Sequence, residues 1–317
     1  MAAAGIRTIP RVIFVLAVLI AVYEWAVAVS AAIAPGAIGP DFHGIGTDWM
    51  VFHAAARRFL AGDLAQLYDG ATFTARLNAD YAAWLFDRLD YRPWVNPPWF
   101  LLAMAPLGML PFALSYLAGQ VLQLALLGTV LRQVRGAAVP LAPAVVLACL
   151  LSPAAAFNAA AGQTALLTGA LCVTVLLQAE RRPWLAGLAL ALLTFKPQVG
   201  PVLVVYLLAA GRWEVIGWAA VAGAGLIAAS AALVGTGPWL DWFEVIRQGL
   251  SGSGQWNDAG RLWGNSVYTC LFAAGVPAAL ASAGQLVASV GSLVAAAVIA
   301  RRDPDPHSRA GAVLLLV

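Results

Sequence analysis

Apolar runs of about 20 residues recur along most of this chain, and each is long enough to cross the hydrocarbon core of a bilayer. Charged residues make up 10% of the sequence, against roughly 25% in an ordinary soluble domain, so the apolar surface has no water-soluble arrangement. The solvent for the fold is therefore lipid, and spanning segments must satisfy their own backbone hydrogen bonds as helices. We read an all-α polytopic membrane protein. The formal net charge of +3 comes from scattered arginines with no basic run, which argues against nucleic acid as a partner. Cys149, Cys172 and Cys270 lie in apolar stretches without metal-ligand spacing and read as small hydrophobes.

The apolar runs predict spans at about 11–34, 112–131, 138–157, 164–179, 214–235 and 277–300, with shorter helices at about 98–110, 184–195 and 198–210. The first run follows Arg7 and Arg11, is too long for a signal peptide and reads as a retained helix. Between 98 and 131 the pattern is interrupted by Pro106, Gly108 and Pro111, which leaves one or two crossings open. Arg132, Arg135, Arg181, Arg182, Arg212, Arg301 and Arg302 stand beside span ends, which places those ends in the cytoplasm. Four segments then lie outside: about 36–97, the corner 158–163, the break at Lys196-Pro197, and about 236–276. The whole of 1–317 reads as one membrane-embedded domain. Its last apolar run stops at Val317, so either the final helix is very short or the chain belongs to a longer protein. No internal repeat of fixed period is visible.

Segment 36–97 is polar yet rich in aromatic residues, enough to pack or to lie among lipid headgroups. From Thr47 to Leu60 the apolar residues Trp49, Phe52, Ala56, Phe59 and Leu60 recur at helical spacing, while His53 and Arg57 share another face. This predicts an amphipathic helix at the membrane surface, capped by Thr47 or Asp48 and ended by Gly62, with a second over about 71–86. Asp48 there either caps the helix and favours its dipole or faces a reacting ligand. Asn96-Pro97-Pro98 closes the segment and opens the next helix, proline being tolerated in a first turn.

Several polar residues stand where lipid makes them costly. Lys196, the only lysine, sits in Thr194-Phe195-Lys196-Pro197-Gln198 between two apolar runs. Either it snorkels to the headgroups or it holds an anionic ligand such as a phosphate. Pro197 breaks the helix beside it, and the carbonyls freed there are tolerated at a cavity or a protein contact. Asn158, Gly162, Gln163 and Thr164 form a second polar corner, and Gly264, Asn265 and Ser266 a third. Their side chains suit either sugar hydroxyls or helix caps. Glu24, about 13 residues into the first run and so roughly 20 Å deep, requires a partner or an aqueous pocket. Trp239, Trp242, Trp256 and Trp263 accompany charged residues in the last outer segment and make an interfacial patch or a sugar platform.

In order along the chain these features resemble glycosyltransferase family 87, the polyprenyl-phosphate-mannose-dependent mannosyltransferases of the GT-C superfamily. The likeness rests on Thr47-Asp48-Trp49 through Arg57, then Leu60-Ala61-Gly62-Asp63 and Leu67-Tyr68-Asp69, then Asn96-Pro97-Pro98. It continues through Gly162-Gln163, Leu185-Ala186-Gly187, Lys196-Pro197-Gln198 and, more weakly, Gly264-Asn265-Ser266. His53 stands where a tyrosine is usual, and the asparagines that commonly flank the Gly-Gln pair are absent. The resemblance implies a GT-C-like helical bundle with a long first outer loop. It implies transfer of a hexose, mannose in the better-known members, from a polyprenyl-phosphate sugar to a glycolipid or glycan acceptor, with inversion, at the outer face of a bacterial cytoplasmic membrane. Asp48 would be the general base, with Asp41 the alternative, and Lys196 would bind the donor phosphate. His53, Arg57, Asn158, Gln163, Gln198 and Asn265 are further candidates for sugar or acceptor contacts. The scheme needs no cofactor and no metal.

A transporter or flippase for a lipid-linked or anionic substrate is the alternative from another class, because Glu24 and Lys196 beside a broken helix also suit a substrate pathway. The long aromatic outer segment favours a transferase, which must cover its reacting centre. The orientation is open to direct test with single cysteines at Ala65 and Gly136 and an impermeant thiol reagent on intact cells. We expect labelling at 65 and protection at 136; the reverse pattern overturns the topology.

Overall fold

Proline and glycine cut the apolar sequence into the helices of the computed structural model. It describes residues 15–27, 29–30, 35–38, 43–136, 139–140, 147, 149–251, 266–302, 311–314 and 316. Helix α1 covers Val15–Val27. The outer segment contains α2 (Thr47–Leu60) and α3 (Gly70–Asp80), followed by α4 (Trp99–Gly108) and α5 (Phe112–Leu131). A two-residue antiparallel pair, Arg135–Gly136 with Val139–Pro140, follows α5. Then come α6 (Pro153–Ala161), α7 (Ala165–Gln178) and α8 (Pro183–Leu192), and after two short 3-10 turns α9 (Gly200–Ala209). Helices α10 (Trp213–Val234), α11 (Gly237–Ser251), α12 (Val267–Ala273) and α13 (Ala278–Arg302) complete the series. The fold is the helical membrane architecture that the apolar runs predict: α5, α10 and α13 are long and apolar enough to cross a membrane.

The chain divides into two compact units. The first comprises 1–65, 71–92 and 104–170, and the second 66–70, 93–103 and 171–317.

In the first unit α2 is a core element. Thr47, Trp49 and every residue from Met50 to Ala56 are buried, so the helix lies deeper than its amphipathic pattern implies, and its exposed end begins at Arg57. Trp49 packs its ring against α5 at Gly119, where a Cβ would stand 2.1 Å from the indole, and donates its N–H to Ser115 Oγ at 3.0 Å. Neither Thr47 nor Asp48 caps α2. Gly46 occupies the N-cap position in a left-handed conformation. Its N–H instead donates to Ala160 O at 2.8 Å, joining the start of α2 to the end of α6. Gly62, at φ 70°, ends the helix as the sequence predicts.

Two apolar stretches divide where their prolines stand. The 98–131 region becomes α4 and α5, separated at Met109 to Pro111. The predicted span 138–157 is interrupted at Leu151-Ser152, because Ser152 Oγ accepts from Ala155 N at 3.2 Å and Pro153 takes the first turn, which starts a new helix. The predicted corner at 158–163 therefore begins inside α6 and turns only at Gly162. The second outer helix is shorter than expected, ending at Asp80 before a turn over 81–84.

In the second unit α8 and α10 pack closely, since a Cβ on Gly187 would come within 2.4 Å of Trp218 Cβ. Helix α9 packs on α13, and α12 on α13. Asn96-Pro97-Pro98 opens α4 as the sequence predicts, with Phe100 N donating to Pro97 O at 2.9 Å.

Gly162 provides a test of this packing. Its φ is 77°, and a Cβ there would meet Trp49 N at 2.7 Å and Gly46 Cα at 2.8 Å, both backbone atoms that cannot swing away. Gly62 has a similar φ with open space around it. Gly162→Ala should therefore cost about 3 kcal/mol, left-handed strain plus overpacking, and Gly62→Ala only about 1 kcal/mol. Thermal unfolding of the two variants in one detergent measures the difference; equal shifts contradict the close approach.

Candidate functional site

Asp48 lies in the first turn of α2, half-buried between the buried residues Thr47 and Trp49. The unpaired amides and positive dipole end of a helix favour a carboxylate at this place. Gln163 Nε2 donates directly to Asp48 Oδ2. The Gly-Gln pair reaches Asp48 because Gly162, in its left-handed turn, lets the chain pass against the backbone of Gly46 and Trp49.

Gln163 is held in turn by its main chain. Its N–H donates to Asn158 O at 2.9 Å and its carbonyl accepts from Gln123 Nε2 at 3.2 Å. Gln123 Oε1 accepts from Leu167 N at 3.3 Å. Asn158 donates from Nδ2 to Gln120 Oε1 at 3.3 Å and accepts from Ala165 N at 2.7 Å, which ties α6, α5 and the start of α7 together. Buried amides in a low-dielectric interior hold such a framework rigidly once they are paired. Asn158 thus positions Gln163, and both polar atoms of its side chain are engaged inside the protein.

Farther along α2, His53 is 1% exposed. Its Nε2 lies 2.9 Å from Leu110 O and its Nδ1 2.6 Å from Tyr81 Oη. A carbonyl can only accept, so in the neutral ring Nε2 carries the proton and Nδ1 accepts from the Tyr81 hydroxyl. Burial, reinforced by Arg57 one turn away and only partly opposed by the Leu110 bond, holds the imidazole below its ordinary value. His53 is therefore a neutral, internally bonded ring with no nitrogen directed at a ligand. Arg57 is exposed.

The second unit assembles other motifs. Phe195 stacks on Phe100 with centroids 4.8 Å apart, and Phe100 on Trp94 at 6.1 Å. Trp99 Nε1 donates to Thr194 Oγ1 at 3.1 Å, which joins Asn96-Pro97-Pro98 and its helix to the Lys196 corner. Tyr68 Oη donates to Asn96 O at 2.8 Å and Trp242 Nε1 to Val95 O at 3.0 Å. Lys196 sits between the two 3-10 turns, partly exposed, with Nζ 5.9 Å from the Phe195 ring centroid. Gln198 is exposed. Trp239 is 8% exposed and donates inward to Ser230 Oγ at 3.2 Å, so it does not form an open sugar platform.

The structure thus joins Asp48 to Gln163 through the amide framework of the first unit, and Lys196 to the Asn-Pro-Pro segment in the second. Asp41, Gly264 and Asn265 lie outside the described residues, as do Trp256 and Trp263. Among the described residues no group of three His, Cys, Asp or Glu side chains is close enough to hold a metal. Sequence reasoning passed over Gln120 and Gln123. Their signal was two amides three residues apart within an otherwise apolar span, where polar groups need partners. It also passed over the partnership of His53 with Tyr81, which depends on how the outer helices meet.

The model of glycosyltransferase family 87 matches residues 94–317, more than half the chain. The chain belongs to that family, and it is a membrane glycosyltransferase acting between a sugar donor and an acceptor. The matched region contains Asn158, Gln163, Lys196 and Gln198, and begins after the segment with Asp48. Neither the curated proteins nor the solved structures gave a match.

His53 makes the fold sensitive to acid. Unfolded, it titrates near 6.5; folded, it titrates lower, so the neutral ring stabilises the fold in full above pH 6.5 and this contribution falls as pH drops towards the folded value. We expect the melting temperature of the parent to decline between about pH 7 and 5, and that of His53→Asn to start lower and decline less. Parallel slopes would show that His53 does not couple to the fold.

Proposed function

We propose that the protein transfers a hexose, mannose in the simplest case, from a polyprenyl-phosphate sugar to a glycolipid or glycan acceptor at the outer face of a bacterial cytoplasmic membrane. The observation that carries this reading is the hydrogen bond from Gln163 to Asp48, which orients a half-buried carboxylate at a helix start. In the proposed reaction Asp48 accepts the proton of the acceptor hydroxyl as its oxygen attacks the anomeric carbon. The bond from that carbon to the phosphate oxygen breaks, the configuration inverts, and polyprenyl phosphate leaves. Lys196 offsets the charge that develops on the departing phosphate, as a compact ammonium does. The polyprenyl tail stays in the bilayer throughout. His53 and Asn158 support this site from within, while Gln198 has an exposed position suited to the acceptor or the donor sugar.

Turnover of purified protein in lipid, offered polyprenyl-phosphate sugars and a membrane extract as acceptor, tests the assignment. Asp48→Asn can still accept from Gln163 but cannot take the proton, so the variant should fold and lose about 10²–10⁴-fold in rate. Lys196→Ala should lose more donor use than Lys196→Arg, which keeps the charge without its compactness. A folded Asp48→Asn protein with the parental rate removes Asp48 as base, and Asp41→Asn is then the variant to assay.

A further inference from the structure

At the C-terminal end of α2 the first unit carries a cleft of about 440 Å³, within the size range of small-molecule sites. It is lined by Arg57, Arg58, Asp63, Arg76, Asp80 and Tyr81, with Ala54 and Ala61 as its apolar wall. Three guanidiniums face two carboxylates there, so the lining is formally cationic. The carboxylates are committed. Asp63 accepts from Arg58 Nη1 at 3.3 Å and from Arg76 Nη1 at 3.2 Å, and Asp80 accepts from Arg58 Nη2 at 3.2 Å. Arg57 is the remaining cation; its guanidinium has no hydrogen-bond or ion-pair partner among the described residues. The Nε–H of Arg58 is buried and likewise has no acceptor among them, although the Arg58 side chain is only 13% exposed.

A bland account exists for part of this. Cations in the last turn of a helix complement its dipole, and that explains why two arginines stand at the end of α2. It does not explain a concave site with an unmatched charge on its wall. Arginine forks match the oxygens of phosphate two at a time, and the carboxylates on either side of Arg58 hold it in place for such a contact.

We propose that this cleft binds a phosphate-class anion, with Arg57 and Arg58 as its principal donors, at a site separate from Asp48. Arg57 stands nine positions after Asp48 along α2, about 14 Å of helical rise, so one phosphate does not serve both places. The chemistry is shared by two sources, a phospholipid headgroup and a soluble phosphate ester. The inference stands apart from the role given to Asp48.

Two binding measurements on the full chain separate the sources. In a neutral detergent, inorganic phosphate and glycerol 3-phosphate are titrated against the protein. In nanodiscs of phosphatidylcholine with and without phosphatidylglycerol, lipid retained by the protein is counted by native mass spectrometry. We expect binding in at least one arm, at least about tenfold weaker in Arg57→Gln, as for loss of a charge-assisted hydrogen bond, and partly kept in Arg57→Lys. Arg88→Gln, which removes an exposed arginine outside the cleft, should bind like the parent. Binding in detergent identifies a soluble ester, and binding confined to phosphatidylglycerol nanodiscs identifies a headgroup. Absence of binding in both arms, parental affinity in Arg57→Gln, or an equal loss in Arg88→Gln would each overturn the proposal. Because these arms read binding alone, their failure is distinct from any failure of Asp48 in turnover.

Discussion

The arrangement of the first unit depends on how closely the end of α6 approaches the start of α2. Two glycines make that approach, Gly46 by giving its N–H to Ala160 O and Gly162 by turning with no side chain against the Trp49 and Gly46 backbones. A backbone contact of this kind leaves no slack for a side chain to absorb. The residue after Gly162 is then delivered to Asp48 at hydrogen-bonding range, and a glutamine there can donate to the carboxylate. Trp49, wedged into the gap at Gly119 and bonded to Ser115, keeps α2 from rotating about its axis. The orientation of Asp48 is thus inherited from packing.

The amides behind Gln163 illustrate why a polar framework survives in such an interior. Gln120, Gln123 and Asn158 are each at most 5% exposed, and unpaired they would cost more than they contribute. Between them they bond to one another and to the backbone of Gln163, Ala165 and Leu167, and of their side-chain polar atoms only Gln120 Nε2 has no partner among the described residues. Paired in this way they link three helices through directional contacts, where aliphatic packing alone would let the helices slide. His53 follows the same rule farther along α2: its neutral tautomer suits one acceptor and one donor, and both are present. Residues that a sequence reader assigns to a ligand because they are polar in an apolar setting can be engaged by the protein itself.

The helical membrane class, the positions of most helices and the opening of α4 at Asn96-Pro97-Pro98 were legible in the sequence, because apolar length and proline chemistry act locally. So was membership of a transferase family, which the family match over 94–317 bears out. The interruption at Leu151-Ser152 was not, although Ser152-Pro153 is a helix-start signal, since the apolar residues on both sides read as one run. The N-cap of α2 went to Gly46, where a side-chain cap at Thr47 or Asp48 was the natural reading, because the contact with α6 requires a left-handed residue there.

Which polar residues meet was decided by tertiary structure. Asp48 and Gln163 are 115 residues apart, and no spacing rule connects them. Nor does the sequence say that three arginines and two aspartates from α2, α3 and the turn between them share one cleft, since their charges read singly as a solvated face. By itself the sequence determined the solvent, the helices and the chemical types available for a reaction, because hydrophobicity and backbone preference are properties of neighbouring residues. The three-dimensional fold alone decided which carboxylate is oriented, which histidine is buried and neutral, and where a cation remains unmatched, because hydrogen bonds and burial depend on distances that chain separation does not set.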